Sequence, residues 1–283
     1  MTYASSTSRV EELRGRLDRL RGTYNRLEYV RPDPVEFLHR YDDVPDREVV
    51  GLVASGLAYG RVDRILKSVE SVLGRLGSSP AAFARRAEEK ECRALLEGFR
   101  HRFTTGDEVA SLLLGAGAVL RRDGSIESCF ARGLEPGDVT SVPALSRFVA
   151  ELGGACGDRP KSLLPLPDRG SACKRLHLYL RWMVRRDEVD PGGWQSVRRS
   201  QLVVPLDTHM HRAGLALGLT TRRQADLKTA LDITESLRAL DPDDPVKYDF
   251  AITRIGIRGD IGSVEDVLGT VTAENRREGE TPC

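Results

Sequence analysis

The chain has 283 residues, of which 40% are hydrophobic and 30% charged, and its formal net charge is +1. This composition is ordinary for a globular protein, and the length allows one large core or two smaller domains. The small net charge does not by itself indicate a nucleic-acid partner, so the distribution of charge matters more. No apolar run approaches the ~20 residues that span a bilayer, and no secretory signal is recognisable, so we expect a cytoplasmic protein without membrane segments.

The number and spacing of the cysteines argue against a disulfide framework. They are odd in number and show no CxxC spacing, which favours reduced, buried thiols over a zinc or iron–sulfur site. We therefore expect no cofactor and no metal. The cysteines are Cys92, Cys129, Cys156, Cys173 and Cys283.

Apolar residues recur at helical spacing along most of the chain, and convincing strands are nearly absent. The fold class predicted from this pattern is all-α. Within residues 46–76, a bend is expected near Tyr59 because Gly56 and Gly60 weaken the helix. The predicted helices cover residues 10–27, 34–41, 51–73, 80–100, 107–120, 125–132, 141–152, 171–186, 207–217, 221–240 and 246–255.

The domain organisation follows from the same pattern. Residues 1–33 are predicted to form an N-terminal helix that packs on the body of the protein. Residues 34–273 form the helical body, with two lobes and a cleft between them. The polar residues 274–283 are predicted to be a flexible tail.

Positive charge is concentrated between Arg169 and Arg212, where a predicted helix carries Lys174 in its first turn. The simplest interpretation of Lys174 is an exposed residue or a phosphate contact at the start of a helix. If its amine is partly buried, with Arg175 and apolar walls nearby, it can instead act as a nucleophile.

Asp207 follows an extended apolar run, Val203-Val204-Pro205-Leu206, and precedes a helix. This position is typical of an N-cap, in which backbone N–H groups hold the carboxylate. The same carboxylate can stabilise a positively charged, sugar-like transition state. Capping and catalysis are therefore compatible.

Other chemistries have weaker support. Asp207, His209 and His211 form D-x-H-x-H, but positions two apart on a helix point in different directions and no further ligand follows at a suitable spacing. Phosphate-binding glycine loops and a hydrolase triad are not recognisable. Residues 99–103 alternate aromatic and basic side chains. Aromatic residues that could stack on an extruded base, although such residues are more often core, are Tyr59, Trp182, Trp194 and Tyr248.

The order of these features resembles the catalytic half of the helix-hairpin-helix DNA glycosylase superfamily. The resemblance rests on SACKRL around Lys174, on VPLDTH around Asp207 and on LGL at residues 217–219, and more weakly on residues 50–65. The hairpin is atypical, because Ser171-Ala172-Cys173 stands before the lysine in place of the usual L-P-G-V-G-x-K ending. The separation of lysine and aspartate is also longer than in the endonuclease III-like branch.

Both departures are similar to the archaeal 8-oxoguanine glycosylase branch, and KRLHLYLRWMVR and DPVKYDF resemble a bacterial family within the superfamily. The resemblance implies a two-lobed glycosylase fold with an atypical helix-hairpin-helix, a damaged purine such as 8-oxoguanine in double-stranded DNA as substrate, and a monomer. The cysteine quartet of the iron–sulfur branch is missing.

The resemblance implies that Lys174 is the nucleophile that forms a Schiff base and that Asp207 assists it. We expect phosphate contacts from Arg169, Arg175, Arg181 and Arg185. The expected base pocket contains Tyr59, Trp182 and His209.

Two alternatives to a glycosylase with lyase activity remain open at this stage. The first is a nucleic-acid-binding protein that has the glycosylase fold without catalysis. The second is a metal-dependent hydrolase that uses Asp207, His209 and His211.

Overall fold

The computed structural model describes residues 3–257, and the tail predicted for residues 274–283 lies outside them. The described chain is mostly helical, which confirms the all-α prediction. None of its helices has the length and apolar character needed to cross a bilayer. The helices are α1 (Tyr3–Tyr24), α2 (Val44–Gly56), α3 (Val62–Leu76), α4 (Pro80–Arg86), α5 (Glu89–Leu95), α6 (Gly106–Asp123), α7 (Ile126–Ala131), α8 (Val142–Ala155), α9 (Lys174–Val184), α10 (Thr208–Ala216), α11 (Leu227–Arg238) and α12 (Asp249–Ile257).

Shorter elements connect these helices. A two-stranded antiparallel hairpin joins β1 (Arg100–His101) to β2 (Thr104–Thr105), with His101 paired to Thr104. Short 3-10 segments lie at Leu27–Tyr29, Pro34–Arg40, Pro167–Arg169 and Arg199–Gln201, and Pro34–Arg40 is the longest of these four.

Two predicted helices are interrupted. The helix predicted over residues 51–73 is divided into α2 and α3, since Gly60 has φ +96° and the chain turns there. The helix predicted over residues 80–100 ends at Arg86, where Ala87 and Glu88 have extended ψ angles before α5 begins. The first interruption creates the corner between α2 and α3 that the site described below uses.

Helix α2 lies at the centre of the core and packs against α9 and α4. Nearly every residue of its second half is buried. The approach of α2 to α9 is close because a Cβ added at Gly51 would lie 2.9 Å from the ring of Tyr179. This contact fixes the position of α9, which carries Lys174.

Helix α12 packs against both α1 and α10. It brings Asp249, at its first position, near Asp207, which precedes α10. Buried apolar residues from all these helices form one continuous cluster. The division of the body into two lobes stays a prediction.

Candidate active site

Lys174 is the first residue of α9. The residue before it, Cys173, is buried and has the left-handed conformation, with φ +44°. The 3-10 turn Pro167–Arg169 and Gly170, whose φ is +77°, lead into this bend. The unusual stretch between Gly170 and Lys174 therefore reorients the chain so that α9 starts at the lysine.

Asp207 caps α10 as the sequence predicts. Its Oδ1 atom accepts hydrogen bonds from the backbone N–H groups of His209 and Met210, each at 2.9 Å. Its other oxygen, Oδ2, lies 3.2 Å from Nζ of Lys174. One oxygen therefore caps the helix while the other contacts the amine.

The pair is partly open to solvent, with side chains that are 34% exposed for Lys174 and 19% exposed for Asp207. It lies at a pocket of about 310 Å³ between the 3-10 turn Pro34–Arg40, the α2–α3 corner, α9, α10 and α12. The lining residues are Pro32, Asp33, Pro34, Ala58, Gly60, Val62, Ile65, Lys174, Leu178, Arg181, Pro205, Asp207, His209, Asp249 and Thr253.

Asp249 is a pocket residue that sequence reasoning missed. It is 2% exposed; its Oδ2 accepts a hydrogen bond from Arg181, and its Oδ1 has no hydrogen-bond partner among the described residues. Burial raises the pKa of Asp249 to about 6, Arg181 opposes this rise, and the charge of Asp207 adds to it. Asp249 could have been identified from the sequence because it is a single carboxylate within the apolar run of the last core helix.

Two of the four predicted phosphate contacts are wrong. Arg181 and Arg185 are only 2% and 3% exposed, because both point into the core. Arg181 pairs with Asp190 and Asp249, and Arg185 pairs with Asp190 and Asp244. These guanidinium groups neutralise buried carboxylates. Arg181 also lines the inner wall of the pocket, but neither arginine is exposed on the outer surface where the phosphates of a DNA strand would lie.

The other two arginines differ from each other. Arg175 donates hydrogen bonds to the carbonyl oxygens of Gly56 and Ser162, and its guanidinium lies 4.9 Å from the ring centre of Tyr59. It therefore joins α9 to the end of α2 rather than facing a phosphate. Arg169 is exposed in the turn before α9, and its phosphate contact stays a prediction.

The predicted base-pocket residues lie in different places. His209 lines the pocket. Trp182 is fully buried, so its assignment to the pocket is wrong. Tyr59 stands between the pocket residues Ala58 and Gly60, but its hydroxyl donates to the carbonyl of His101 at 2.8 Å and the residue does not line the pocket. The spacing of apolar residues in α9 did not show whether Trp182 is buried in the core or exposed at a pocket.

No group of three or more metal-ligating side chains is found among residues that the structure describes. The ring of His211 contacts the carbonyl of Arg222 at 2.8 Å, which holds it away from a ligand set with His209. The cysteines of the described region, Cys92, Cys129, Cys156 and Cys173, are buried and free, and Cys283 lies outside it.

Comparison with known proteins places the chain in a family without assigning an activity. The profile of DUF2400, described as a protein of unknown function, matches residues 33–258. No curated protein and no solved structure matches the chain. The profile starts before the Pro34–Arg40 turn and includes every pocket residue from Asp33 to Thr253. Because it covers most of the sequence, the protein belongs to the DUF2400 family.

Proposed function

We propose that this protein is a DNA glycosylase with lyase activity that removes a damaged purine from double-stranded DNA. The observation that carries the proposal is the contact between Nζ of Lys174 and Oδ2 of Asp207 at the pocket. An amine beside a carboxylate that is fixed by two backbone N–H groups is suited to nucleophilic attack at a sugar carbon. The resemblance of both segments to glycosylases supports the same chemistry.

The pocket supports binding of an extruded nucleoside. Its volume of about 310 Å³ is at the lower end of the roughly 300–1,000 Å³ of ligand pockets. A base must leave the duplex before an enzyme can reach its glycosidic bond. Asp249 supplies a buried oxygen that has no hydrogen-bond partner within residues 3–257, and an N–H group of the extruded base would satisfy it.

In the proposed reaction, Asp207 takes a proton from the ammonium of Lys174, and the free amine attacks C1′. The C1′–N bond breaks, and its electron pair leaves with the base, which takes up a proton. The C1′–O4′ bond then opens as the lysine nitrogen forms a Schiff base with C1′, and O4′ is protonated. Loss of a proton from C2′ expels the 3′ phosphate and nicks the strand.

Borohydride trapping tests this chemistry directly, because borohydride reduces the Schiff base to a stable amine that links protein and DNA. The full chain is incubated with a panel of duplex oligonucleotides that each carry one lesion, including 8-oxoguanine. We expect a covalent adduct with at least one lesion and none with Lys174→Gln. Lys161→Gln, an exposed lysine in the loop before α9, is the matched control and should form the adduct.

The panel also separates the alternatives. Base release that survives Lys174→Gln but not Asp207→Asn indicates a glycosylase without lyase activity. Salt-sensitive DNA binding with no base release from any lesion selects a non-catalytic binding protein and contradicts the proposal. We propose further that the protein acts as a monomer in the cytoplasm, where its free thiols remain reduced.

A further inference from the structure

A basic groove lies beside the pocket, on the opposite side of α3. It has a volume of about 450 Å³ and is formed by α3 and the β1–β2 hairpin. No residue that lines it is acidic. The lining residues are Arg64, Lys67, Ser68, Ser71, Arg75, Gly98, Phe99, Arg100, His101 and Arg102.

Helix α3 joins the groove to the pocket. Val62 and Ile65 line the pocket. The groove is lined from the other side of the helix, at three- and four-residue steps, by Arg64, Lys67, Ser71 and Arg75. A ligand that occupies both sites therefore crosses α3.

The cations at the open side of the groove have no salt-bridge partner in the described part of the chain, although the charge of Arg64 acts on the neighbouring carboxylate of Asp63. Arg64, Lys67, Arg100 and Arg102 are exposed and form no salt bridge there. The neighbouring acids on α3 are neutralised by other arginines, since Asp63 pairs with Arg61 and Glu70 with Arg40. Unpaired cations along one surface are the usual footprint of a phosphate backbone.

The hairpin places an aromatic side chain at the edge of this groove. Phe103 is 59% exposed, and its ring stacks on Tyr59 with a centroid separation of 4.8 Å. Only one face of the ring is covered in this way. Arg102, before it, has φ +54°, in the position where two-residue hairpin loops favour glycine. The tip thus keeps an arginine at a position where glycine would be less strained.

Hydrogen bonds attach the hairpin to the neighbouring elements. The hydroxyl of Tyr59 donates to the carbonyl of His101, and the His101 ring contacts Ser68 Oγ and the carbonyl of Tyr59, at 2.9 and 3.0 Å. These contacts tie the hairpin to α3 and to the α2–α3 corner. Since Phe103 is already positioned, little side-chain freedom is lost when a ligand stacks on it.

We propose that the groove binds the phosphates of the DNA strand beside the nucleoside in the pocket, and that Phe103 stacks on a base of that DNA. This proposal rests on the proposed function for the identity of the nucleic acid. It gives separate roles to the two groups: Arg64 and Lys67 supply charge, and Phe103 supplies stacking. Residues 99–102, from the stretch that alternates aromatic and basic side chains in the sequence, line the groove, and Phe103 follows them at the tip of the hairpin.

Fluorescence anisotropy tests the charge contribution with a labelled duplex that carries a stable abasic-site analogue, across a series of salt concentrations. Each phosphate contact adds about 0.9 to the slope of log affinity against log salt. The double variant Arg64→Ala/Lys67→Ala should therefore lower that slope by roughly two. Arg14→Ala/Arg19→Ala, which removes two exposed arginines from α1, should keep the wild-type slope.

The stacking contribution is tested in the same assay. Phe103→Ala should weaken binding by roughly 5- to 150-fold without changing the salt slope, because stacking on an aromatic ring is independent of charge. Phe103→Tyr should keep the wild-type affinity, and Val139→Ala, which shortens another exposed apolar side chain, should have no effect. An unchanged slope for the double variant, or an unchanged affinity for Phe103→Ala, overturns the proposal.

The outcomes separate this proposal from the enzyme proposal, because the labelled duplex cannot be cleaved. If the groove variants bind weakly but no lesion gives a borohydride adduct, the result supports DNA binding in the groove and contradicts the proposed lyase activity. If wild type forms the adduct and the groove variants bind like wild type, the result supports the proposed lyase activity and contradicts DNA binding in the groove.

Discussion

Asp207 binds the start of α10 with one carboxylate oxygen and Lys174 with the other. The hydrogen bonds from His209 N and Met210 N to Oδ1 fix the carboxylate, and Nζ of Lys174 lies 3.2 Å from Oδ2. The helix cap thereby determines where the charged oxygen sits relative to the amine. A structural role and a chemical role thus occupy different atoms of the same side chain.

This division of roles predicts that two substitutions of Asp207 differ in stability but not in activity. Asn caps a helix about as well as Asp, so Asp207→Asn should unfold at the wild-type urea concentration. Asp207→Ala loses the cap and should be less stable by about 1 kcal/mol. Neither variant has the carboxylate that accepts the proton, so both should lose base release. Wild-type base release by Asp207→Asn contradicts the role assigned to its charge.

Arg181 is predicted to act in stability rather than in DNA binding. It lies between the buried carboxylates of Asp190 and Asp249. Arg181→Met leaves these charges without their shared partner, which should cost about 3–5 kcal/mol of unfolding free energy. Urea unfolding measures this loss, and Arg169→Ala, in the exposed turn before α9, is the control that should unfold like wild type. A stable Arg181→Met protein with a lower salt slope for DNA binding is the opposite result.

Lys174 lies at the pocket as expected, whereas Arg181 is buried in ion pairs, and this difference shows which features the sequence could predict. Asp207 was predictable as a cap because an extended apolar run, an acid and a helix follow one another locally. Arg181 and Arg185 belong to the same basic segment as Lys174. Their side chains are buried in ion pairs with Asp190 and with two acids far along the chain, Asp244 and Asp249. A local sequence pattern shows that a segment is basic but does not show which distant acids its arginines pair with. For the same reason Asp249 was not recognised as a pocket residue.

The break between α2 and α3 was expected as a bend, since glycines weaken a helix locally. The break after Arg86 was not expected, because Ala87 and Glu88 are both compatible with a helix and only the packing of α4 and α5 around α6 divides them. Local signals therefore predicted the helical class and the Asp207 cap, and the family resemblance predicted that Lys174 and Asp207 lie together. Tertiary packing decided burial and helix length.

Two glycine substitutions should have opposite effects on stability. A Cβ at Gly117, in α6, would lie 1.9 Å from the carbonyl oxygen of Ala84 in α4, so Gly117→Ala must separate the two helices. Overpacking of this kind costs about 1–3 kcal/mol. At Gly74, exposed in α3, nothing lies within 4 Å, and Gly74→Ala should add roughly 0.5–1 kcal/mol because alanine is the better helix former. Thermal unfolding of the two variants checks the signs, and equal changes contradict the close α4–α6 contact.

His177, in the middle of α9, should make the protein less stable in mild acid. Both of its ring nitrogens are buried and lack hydrogen-bond partners among the described residues, and burial lowers the pKa of His177 from 6.5 to about 4. The unfolded chain therefore binds a proton below about pH 6.5 that the folded chain does not bind until about pH 4.

The contribution of neutral His177 to the free energy of unfolding is therefore fully present above pH 6.5. It is lost as the pH falls from 6.5 to about 4, and the total loss is roughly 3 kcal/mol. His177→Leu has a side chain of similar size that neither titrates nor needs a hydrogen-bond partner, so its unfolding free energy should fall less over that range. Above pH 6.5 it should equal or exceed the stability of wild type, because two unpartnered polar atoms are removed. Urea unfolding of both proteins at a series of pH values measures the difference, in which the titration of all other groups cancels. Parallel curves for the two proteins would show that the imidazole is hydrated or hydrogen-bonded in the folded state.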